Sequence, residues 1–200
     1  DSGKDNLLNE GQKESNIFFV GNLMIDSLHY GLEKIKNKSR FQKEKYGLVT
    51  LHRPSNVDDI NKLKEILEAL SEVSNEIQLF FSIHPRTKNI IDTNNIKLND
   101  NIKVLDALSY LDFLHLMRDS KIIFTDSGGI QEESTILKVP CYTLRNNTER
   151  PITIEQGTNY LVGNQKSNIL KTFKDNQFNI NSNYKVPYGV CELDTNENLK

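Results

Sequence analysis

Two adjacent glycines, Gly128 and Gly129, follow a short apolar run and two polar residues in the second half of the chain. The run Ile122–Phe124 has two β-branched members, which is typical of a strand covered on both faces. Asp126 and Ser127 can cap a helix that starts at the glycines. Glycines allow a sharp turn and leave the first N–H groups of that helix open to an anion. This stretch therefore predicts a phosphate-binding turn.

The helix expected after this turn carries carboxylates. Ile130, Ser134 and Leu137 fall on one helical face, whereas Gln131–Glu133 crowds the first turn, where negative charge suits the helix dipole. Carboxylates in such a turn act either as partners of the dipole or as ligand contacts. The residues alone leave both interpretations open.

A loop with two arginines is predicted close to the turn. Val139–Leu144 has the composition of the next strand, and Arg145, Glu149 and Arg150 follow it. In a parallel sheet the loops after both strands open at the carboxyl edge, which is the usual place for a ligand. Glu149 is expected to pair with Arg145 or Arg150.

Two histidine loops are predicted at the same edge. His52-Arg53 follows the strand Leu48–Leu51, and His84-Pro85-Arg86 follows the strand Leu79–Ile83. Each histidine alone is compatible with a surface residue or a helix cap. Together with the glycine turn and the arginine loop, these residues supply the cations and hydrogen-bond donors that a diphosphate needs.

The elements that must position these side chains alternate between strand and helix. Besides the strands already named, the apolar spacing predicts a strand and four helices or helix fragments: strand Ile102–Leu105, helices Met24–Ile35, Asp59–Val73 and Tyr110–Met117, and the end of a helix within Asp1–Ser15. Ile17–Val20 is a further strand-like run. The alternation favours a Rossmann-like α/β fold with a doubly wound parallel sheet and right-handed crossovers.

Composition narrows the class of protein. The chain has 200 residues, 36% hydrophobic and 26% charged, which is enough for one compact domain with a sizeable core. A net charge of −2 and a pI of about 6.1 predict no general attraction to nucleic acid or anionic membranes. No apolar run has the roughly 20 residues of a membrane helix. Cys141 and Cys191 lack metal-ligand spacing, so we expect reduced thiols, no metal and a cytoplasmic location.

Six segments in a fixed order carry a resemblance to a known family. The segments are VTLHRPSNVDD (49–59), SIHPR (82–86), LSYLDFLHLM (108–117), TDSGGIQEES (125–134), TLRNNTERP (143–151) and EQGTNYLVG (155–163). With these segments the chain closely resembles the C-terminal half of bacterial UDP-N-acetylglucosamine 2-epimerases over about residues 6–163.

The resemblance implies two Rossmann-like domains in the glycosyltransferase-B arrangement, of which this chain holds the second. On this interpretation residues 1–22 are the end of an absent N-terminal domain and the crossover, 23–180 bind UDP, and 181–200 are an irregular tail. It implies conversion of UDP-GlcNAc to UDP-ManNAc by elimination and re-addition of UDP, without a cofactor, on the way to cell-envelope polysaccharide. The catalytic carboxylates lie mainly in the absent domain, and the full-length protein is expected to be a homodimer.

The resemblance also assigns residues to UDP. It places the diphosphate on Ser127, Gly128 and Gly129, in agreement with the predicted turn. Glu133 matches the carboxylate that accepts hydrogen bonds from the ribose hydroxyls. Phe113 matches an apolar position beside the uracil, although a core position is the other interpretation. We therefore expect Glu133→Ala to weaken UDP binding and Glu132→Ala to do little.

Two residues match positions near the reaction itself. His52 and Arg150 reach the reacting region and the substrate phosphates, and both can steady charge on departing UDP. Arg53 and His84 match a second, regulatory site for UDP-GlcNAc. Ser55 stands where the better-studied branch has a glutamate of that site, which puts allosteric activation in doubt.

Three alternatives remain open from the sequence. The first is a sugar-nucleotide-binding module without catalysis, and the second is a glycosyltransferase of the same fold, which does not usually carry the TLRNNTERP loop. The third is a hydrolysing epimerase that releases ManNAc and UDP. The tail Tyr184–Lys200 shows no long helix crossing back to the first domain, which also departs from the family pattern.

Overall fold

The computed structural model describes residues 2–18, 21–39, 41–180 and 182–185. The chain divides into two compact units, of which the larger is Met24–Pro187 and the other contains Asp1–Leu23. A short 3₁₀ turn, Glu14–Asn16, lies in the smaller unit. Of the predicted strand Ile17–Val20, the first two residues belong to no regular element, and Phe19 and Val20 lie outside the described residues. The predicted irregular tail falls mostly outside them as well.

The larger unit is built on a six-stranded parallel sheet. Its strands are β1 Tyr46–Thr50, β2 Gln78–Ser82, β3 Ile102–Leu105, β4 Ile122–Thr125, β5 Cys141–Thr143 and β6 Asn159–Leu161. Their order is β3-β2-β1-β4-β5-β6, so the direction of winding reverses between β1 and β4. The predicted doubly wound fold is confirmed, and the crevice expected at a reversal lies beyond the ends of β1 and β4.

Helices connect the strands. They are α1 Ser2–Asn9, α2 Leu23–Ile35, α3 Pro54–Val57, α4 Ile60–Val73, α5 Pro85–Thr93, α6 Tyr110–Asp119, α7 Gly128–Leu137, α8 Ile152–Glu155 and α9 Lys166–Asn176. The predicted helices correspond to α1, α2, α4, α6 and α7. Among the described residues, none of these helices combines the length and the apolar character needed to cross a membrane.

A contact between two threonines fixes the register of β1 and β4 at their carboxyl ends. Thr50 pairs with Thr125 in the register of β1 and β4, and the two hydroxyl oxygens lie 2.7 Å apart in the interior. Near the start of β1, only glycine fits at position 47, because a Cβ there would lie 2.6 Å from Cδ2 of Leu79 and 2.9 Å from Cγ2 of Ile122. Close packing of neighbouring strands thus fixes where the loops after β1 and β4 begin.

The core lies on both faces of the sheet. Every residue of β1 and β4 is buried, as the continuous apolar runs predict. On one face, α4 and α9 cover the sheet with fully or almost fully buried side chains such as Leu63, Ile66 and Phe173. Each such side chain contributes about 1.5–3 kcal/mol by leaving water. This packing supplies a rigid base for the polar edge.

Several helices and one strand were not predicted from the sequence because their apolar pattern is weak. Pro85–Thr93 was expected to start as a loop, but it forms α5, which buries only Thr87 and Ile91. His84 is its N-cap, and its Nδ1 accepts the backbone N–H of Arg86 at 3.2 Å. Proline at the first helical position was the available signal. α3, α8, β6 and α9 were not predicted either, and the strand predicted over Val139–Leu144 is shorter, Cys141–Thr143.

Candidate functional site

The turn after β4 opens a helix N-terminus toward the edge of the sheet. α7 begins at Gly128, and Ser127 is its N-cap with extended backbone (φ −83°, ψ 131°). The Ser127 side chain makes no capping hydrogen bond, and its N–H donates to Oγ1 of Thr125 at 3.0 Å. The first N–H groups of a helix have no partner within it, so they can bind an anion here. Ser127 therefore takes the predicted N-cap position, but its side chain does not cap the helix.

Asp126 does not cap α7 either, because its carboxylate turns into the interior toward the loop after β1. It is completely buried. Its oxygens accept the backbone N–H of His52 at 3.1 and 3.2 Å, that of Arg53 at 2.9 Å, and Nδ2 of Asn56 at 3.2 Å. Oδ1 also lies 3.0 Å from Nδ1 of His52. Asp126 thus joins the loops after β1 and β4, a role that its position before Ser-Gly-Gly did not suggest.

The surroundings of Asp126 keep it ionised. Burial alone opposes the charge, but the hydrogen bonds from His52 and from the backbone of Arg53 outweigh it and hold the pKa of Asp126 below its ordinary value. A buried anion with this many donors is a stable part of the structure.

The two histidine loops meet beside the turn, as predicted. The rings of His52 and His84 lie 6.2 Å apart between centroids. Both line a cavity of about 230 Å³ that Ser127 and Ile130 also border. α5 is held there because Oγ1 of Thr87 donates to the carbonyl of Leu51 at 2.6 Å. The site residues expected after β1, β2 and β4 therefore surround one space.

Glu133 lies on α7, five residues after Gly128, and is buried. Burial raises its pKa, although the hydroxyl of Tyr110, which donates to Oε1 at 2.9 Å, works against that rise. Burial also raises the pKa of Tyr110, and the carboxylate beside it adds to the effect. Phe113, one turn further along α6, is half-buried. Its predicted place beside a uracil stays a prediction.

Glu132 has a role that its expected position did not indicate. The helix starts at Gly128, so Glu132 and Glu133 lie beyond the first turn and are not placed to compensate the dipole there. Glu132 is buried, and its Oε1 lies 3.2 Å from Nε of Arg150, whose side chain is 40% exposed. The ion pair ties the side chain of Arg150 to α7. We therefore revise the expectation that Glu132→Ala does little, because Arg150 would lose this support.

The arginine loop adds a second ion pair next to the glycines. Arg145 binds Glu149 with two hydrogen bonds, of 2.7 and 2.9 Å, which confirms one of the expected pairings. These hydrogen bonds lower the pKa of Glu149 to about 2. Nη2 of Arg53 lies 3.8 Å from the same carboxylate, and a Cβ at Gly128 would be 3.9 Å from its Oε2. Cationic groups thus stand beside the helix N-terminus.

A buried glutamine ties this loop to α7. Oε1 of Gln131 accepts the hydroxyl of Thr148 at 2.6 Å, and its Nε2 donates to the carbonyl of Ser127 at 3.2 Å. The Thr148 oxygen in turn accepts the backbone N–H of Arg150 at 2.9 Å. Gln131 therefore sets the distance between the glycine turn and Arg150. Sequence reasoning grouped it with the carboxylates and missed this connection.

Two further observations limit the chemistry of the edge. Arg86, expected among its cations, pairs with Asp58 at 2.5 Å instead of reaching the turn. Within the described ranges, no group of three or more His, Cys, Asp or Glu side chains is arranged to hold a metal ion. The groups at this edge are the N-terminus of α7, arginine side chains, the imidazole of His52 and the desolvated carboxylate of Glu133.

Comparison with known proteins identifies relatives along nearly the whole chain. A family model described as UDP-N-acetylglucosamine 2-epimerase matches residues 1–193. The UDP-N-acetylglucosamine 2-epimerase of Methanocaldococcus jannaschii is 44% identical over 200 residues, which covers 93% of this chain and 54% of the relative. The chain thus spans about half the length of the curated relatives it matches.

Solved structures give the same result. The crystal structure of the M. jannaschii UDP-GlcNAc 2-epimerase in complex with UDP-GlcNAc and UDP superposes with a TM-score of 0.83 at 41% identity, covering 93% of this chain and 54% of that one. The Neisseria meningitidis enzyme bound to UDP-GlcNAc gives a TM-score of 0.81 at 32% identity, covering 94% and 56%.

Proposed function

The chain belongs to the UDP-N-acetylglucosamine 2-epimerase family, and we propose that it is the UDP-binding half of an enzyme that interconverts UDP-GlcNAc and UDP-ManNAc. Residues 23–180 form the UDP-binding domain in this proposal. The remaining catalytic groups come from the half of the relatives that this chain does not span. We also propose a cytoplasmic enzyme and a homodimeric full-length protein.

The convergence of four loops at one sheet edge carries the proposal. The diphosphate binds the N–H groups at Ser127, Gly128 and Gly129, where the helix dipole and the absence of a side-chain cap favour an anion. Arg150 lies across the turn, supported by Glu132 at 3.2 Å, and adds a positive charge. Such preorganised donors stabilise the negative charge that develops on a departing phosphate.

The nucleoside extends from the turn toward α6. Glu133 is buried beside the turn and has a single hydrogen-bond partner, Tyr110, among the described residues, so it retains acceptor capacity for ribose hydroxyls. Phe113 is half-buried on α6, where its ring can contact the uracil. A carboxylate and an aromatic ring in this order match the two parts of a uridine.

The reaction in the proposal has two steps. A base takes the proton from C2 of the sugar, the bond between C1 and the β-phosphate oxygen breaks, and 2-acetamidoglucal and UDP result. Re-addition of UDP forms that bond again, and a proton reaches C2 from the opposite face. His52, at the cavity, and Arg150 are the catalytic residues on this side. Carboxylates of the other half supply the second face, because each transfer needs a group within about 3 Å.

Titration calorimetry of this chain with UDP tests the binding half of the proposal. We expect a dissociation constant between micromolar and millimolar, which corresponds to about −4 to −8 kcal/mol, since half of a cleft supplies half of the contacts. Uridine, which lacks the diphosphate, is the matched control and should bind more weakly. A folded chain that binds no UDP at millimolar concentration would contradict the proposal.

Activity measurements test the division between the two halves. The purified chain alone should form no UDP-ManNAc, and the full-length protein should form it. Formation of UDP-ManNAc by the isolated chain, abolished by His52→Ala, would place all acid-base chemistry on this side. Release of free ManNAc by the full-length protein would identify the hydrolysing reaction instead, and UDP binding without any turnover would identify a binding module.

A regulatory site at Arg53 and His84 is a separate part of the proposal. Arg53 follows His52 in the chain, and the ring of His84 lies 6.2 Å from that of His52. Nε of Arg53 donates a hydrogen bond to the backbone carbonyl of Asp126 at 3.3 Å. Ser55 offers no carboxylate at the position where related sites have one. We therefore expect the full-length protein to show hyperbolic rather than sigmoidal dependence on UDP-GlcNAc, as initial-rate measurements would establish.

A further inference from the structure

The contact between His52 and Asp126 uses the imidazole nitrogen on the inner side of the ring. Nδ1 of His52 lies 3.0 Å from Oδ1 of Asp126. The histidine side chain is 39% exposed, whereas the carboxylate is completely buried. An ionised carboxylate can only accept hydrogen bonds, so the proton between the two groups belongs to Nδ1. In the neutral ring, Nε2 is then left without a proton.

We propose that Asp126 is a positioning residue for His52: it accepts the Nδ1–H and so keeps Nε2 as an unprotonated base facing the cavity. The inference deepens the function proposed above and rests on it for the catalytic part. The orientation of His52 and the tautomer of its ring are properties of the chain itself. They can be measured without substrate.

The rest of the hydrogen-bond pattern fixes Asp126 for this task. Its Oδ2 accepts the backbone N–H of Arg53 at 2.9 Å, Nδ2 of Asn56 at 3.2 Å and the backbone N–H of His52 at 3.1 Å. Asn56 is itself held because it also donates to the carbonyl of Leu144 at 2.8 Å. The His52 N–H is shared, and its longer branch of 3.2 Å reaches Oδ1, which also lies 3.0 Å from Nδ1. With Oδ2 immobilised by its three donors, Oδ1 is therefore held against the imidazole.

The same pattern predicts what an asparagine would do at this position. In Asp126→Asn the side-chain oxygen must stay at the Oδ2 position, where three N–H donors converge. The amide NH₂ then occupies the Oδ1 position and donates to Nδ1 of His52, so the ring proton moves to Nε2. The variant keeps the shape of the site and reverses the tautomer, because a donor now stands where an acceptor stood.

Nitrogen-15 NMR of histidine-labelled chain tests the proposal at a pH where the ring is neutral. We expect the Nδ1–H tautomer of His52 to dominate in the wild type and the Nε2–H tautomer to dominate in Asp126→Asn. Asn56→Ala is the matched control: it removes a donor to Asp126 without touching the imidazole, so it should lower stability and leave the tautomer unchanged. A merely structural role of Asp126 would move stability in both variants and the tautomer in neither.

Several outcomes would overturn the inference. They are a dominant Nε2–H tautomer in the wild type, and an unchanged tautomer in folded Asp126→Asn. If Asp126→Asn does not fold, the wild-type tautomer decides by itself. In the full-length protein, Asp126→Asn should lower kcat by about 10²- to 10⁴-fold, the usual contribution of a general base, with KM little changed.

These results separate the inference from the proposed function. A predicted tautomer in a chain that binds no UDP would leave the positioning intact and remove the function. Bound UDP with the opposite tautomer would leave the function and remove the positioning.

Discussion

Asp126 and Glu133 are two buried carboxylates on the two sides of the same glycine turn, and their surroundings are opposite. Asp126 accepts hydrogen bonds from the backbone of His52 and Arg53 and from the side chain of Asn56, and its pKa is lowered despite burial. Glu133 is desolvated as well, but Tyr110 is its one hydrogen-bond donor among the described residues, and its pKa is raised. The carboxylate of Asp126 has its acceptor positions filled by hydrogen-bond donors, whereas that of Glu133 has acceptor positions left.

The difference separates a carboxylate that shapes the site, Asp126, from one that binds the ribose in the proposed function, Glu133. A saturated buried anion stabilises the fold, because every donor around it would otherwise be left unpaired. A desolvated carboxylate with spare acceptor positions is unfavourable in the empty protein and gains donors only when something binds. The comparison therefore assigns opposite roles to two residues of similar chemistry.

The largest expected effect is the loss of Asp126. Asp126→Ala removes the acceptor of two backbone N–H groups and of one of the two N–H bonds of the Asn56 amide, so we expect the free energy of unfolding to fall by about 3 to 5 kcal/mol. Urea unfolding followed by circular dichroism measures this change. A loss below about 1 kcal/mol would mean that water replaces the carboxylate and that Asp126 does not hold the loop.

Glu133 should show the reverse pattern. Glu133→Gln removes the charged acceptor, so UDP binding should weaken by about 1–3 kcal/mol while the free energy of unfolding does not fall. Calorimetry and urea unfolding on the same preparation measure both quantities. Glu76→Gln, an exposed glutamate before β2 at the opposite edge, is the matched control and should change neither. Equal binding losses in the two variants would contradict the assignment.

The pH dependence of stability should carry opposite signs for the two residues. The pKa of Asp126 is lowered from 3.8, so its contribution is present above that value and is lost as the pH falls through the folded pKa. The pKa of Glu133 is raised from 4.5, so its contribution is present below that value and is lost as the pH rises through the folded pKa.

Variants isolate these two contributions. The acid limb of the stability curve should be flatter in Asp126→Asn than in the wild type. Glu133→Gln should gain stability relative to the wild type as the pH rises above 4.5. Urea midpoints between pH 3 and 7 measure both curves, and slopes that change in the same direction would break the comparison.

Replacing Glu149 should have the smallest effect on the free energy of unfolding. Its pKa is lowered to about 2 by Arg145, but the carboxylate side chain is 51% exposed, so solvent screens the ion pair. Glu149→Gln should therefore change the free energy of unfolding by less than about 1 kcal/mol. Thermal unfolding detects a larger change, which would show that the arginine loop depends on this pair for its structure.

The sequence predicted those features that periodicity and composition encode. Strong apolar runs located β1, β2, β3 and β4, and the glycine pair located the start of α7. The parallel topology then brought His52, His84 and Ser127 to one cavity. These predictions rest on local patterns combined with one topological rule.

Other features depend on contacts between distant residues and could not be predicted in that way. Asp126 was expected to cap α7, but donors from a loop more than 70 residues earlier turn its carboxylate inward. For Glu132 the residues left a dipole partner and a ligand contact open, but its Oε1 lies 3.2 Å from Nε of Arg150. In both cases the residue type indicated a polar contact, but the local sequence did not indicate the partner, because the partner lies far away in the chain.

The anchoring of the His52 loop also has a consequence for the order in which the chain folds. β1, β2 and β3 can pair before β4 is in place, but the N–H groups of His52 and Arg53 find their acceptor, Asp126, only when β4 docks against β1. Contacts this far apart in sequence form slowly, because the intervening chain must be closed first. We therefore expect pulse-labelled hydrogen exchange to show the amide of Arg53 becoming protected together with β4, later than the amides of β2. Protection of Arg53 before β4 would mean that the loop after β1 takes its shape by itself.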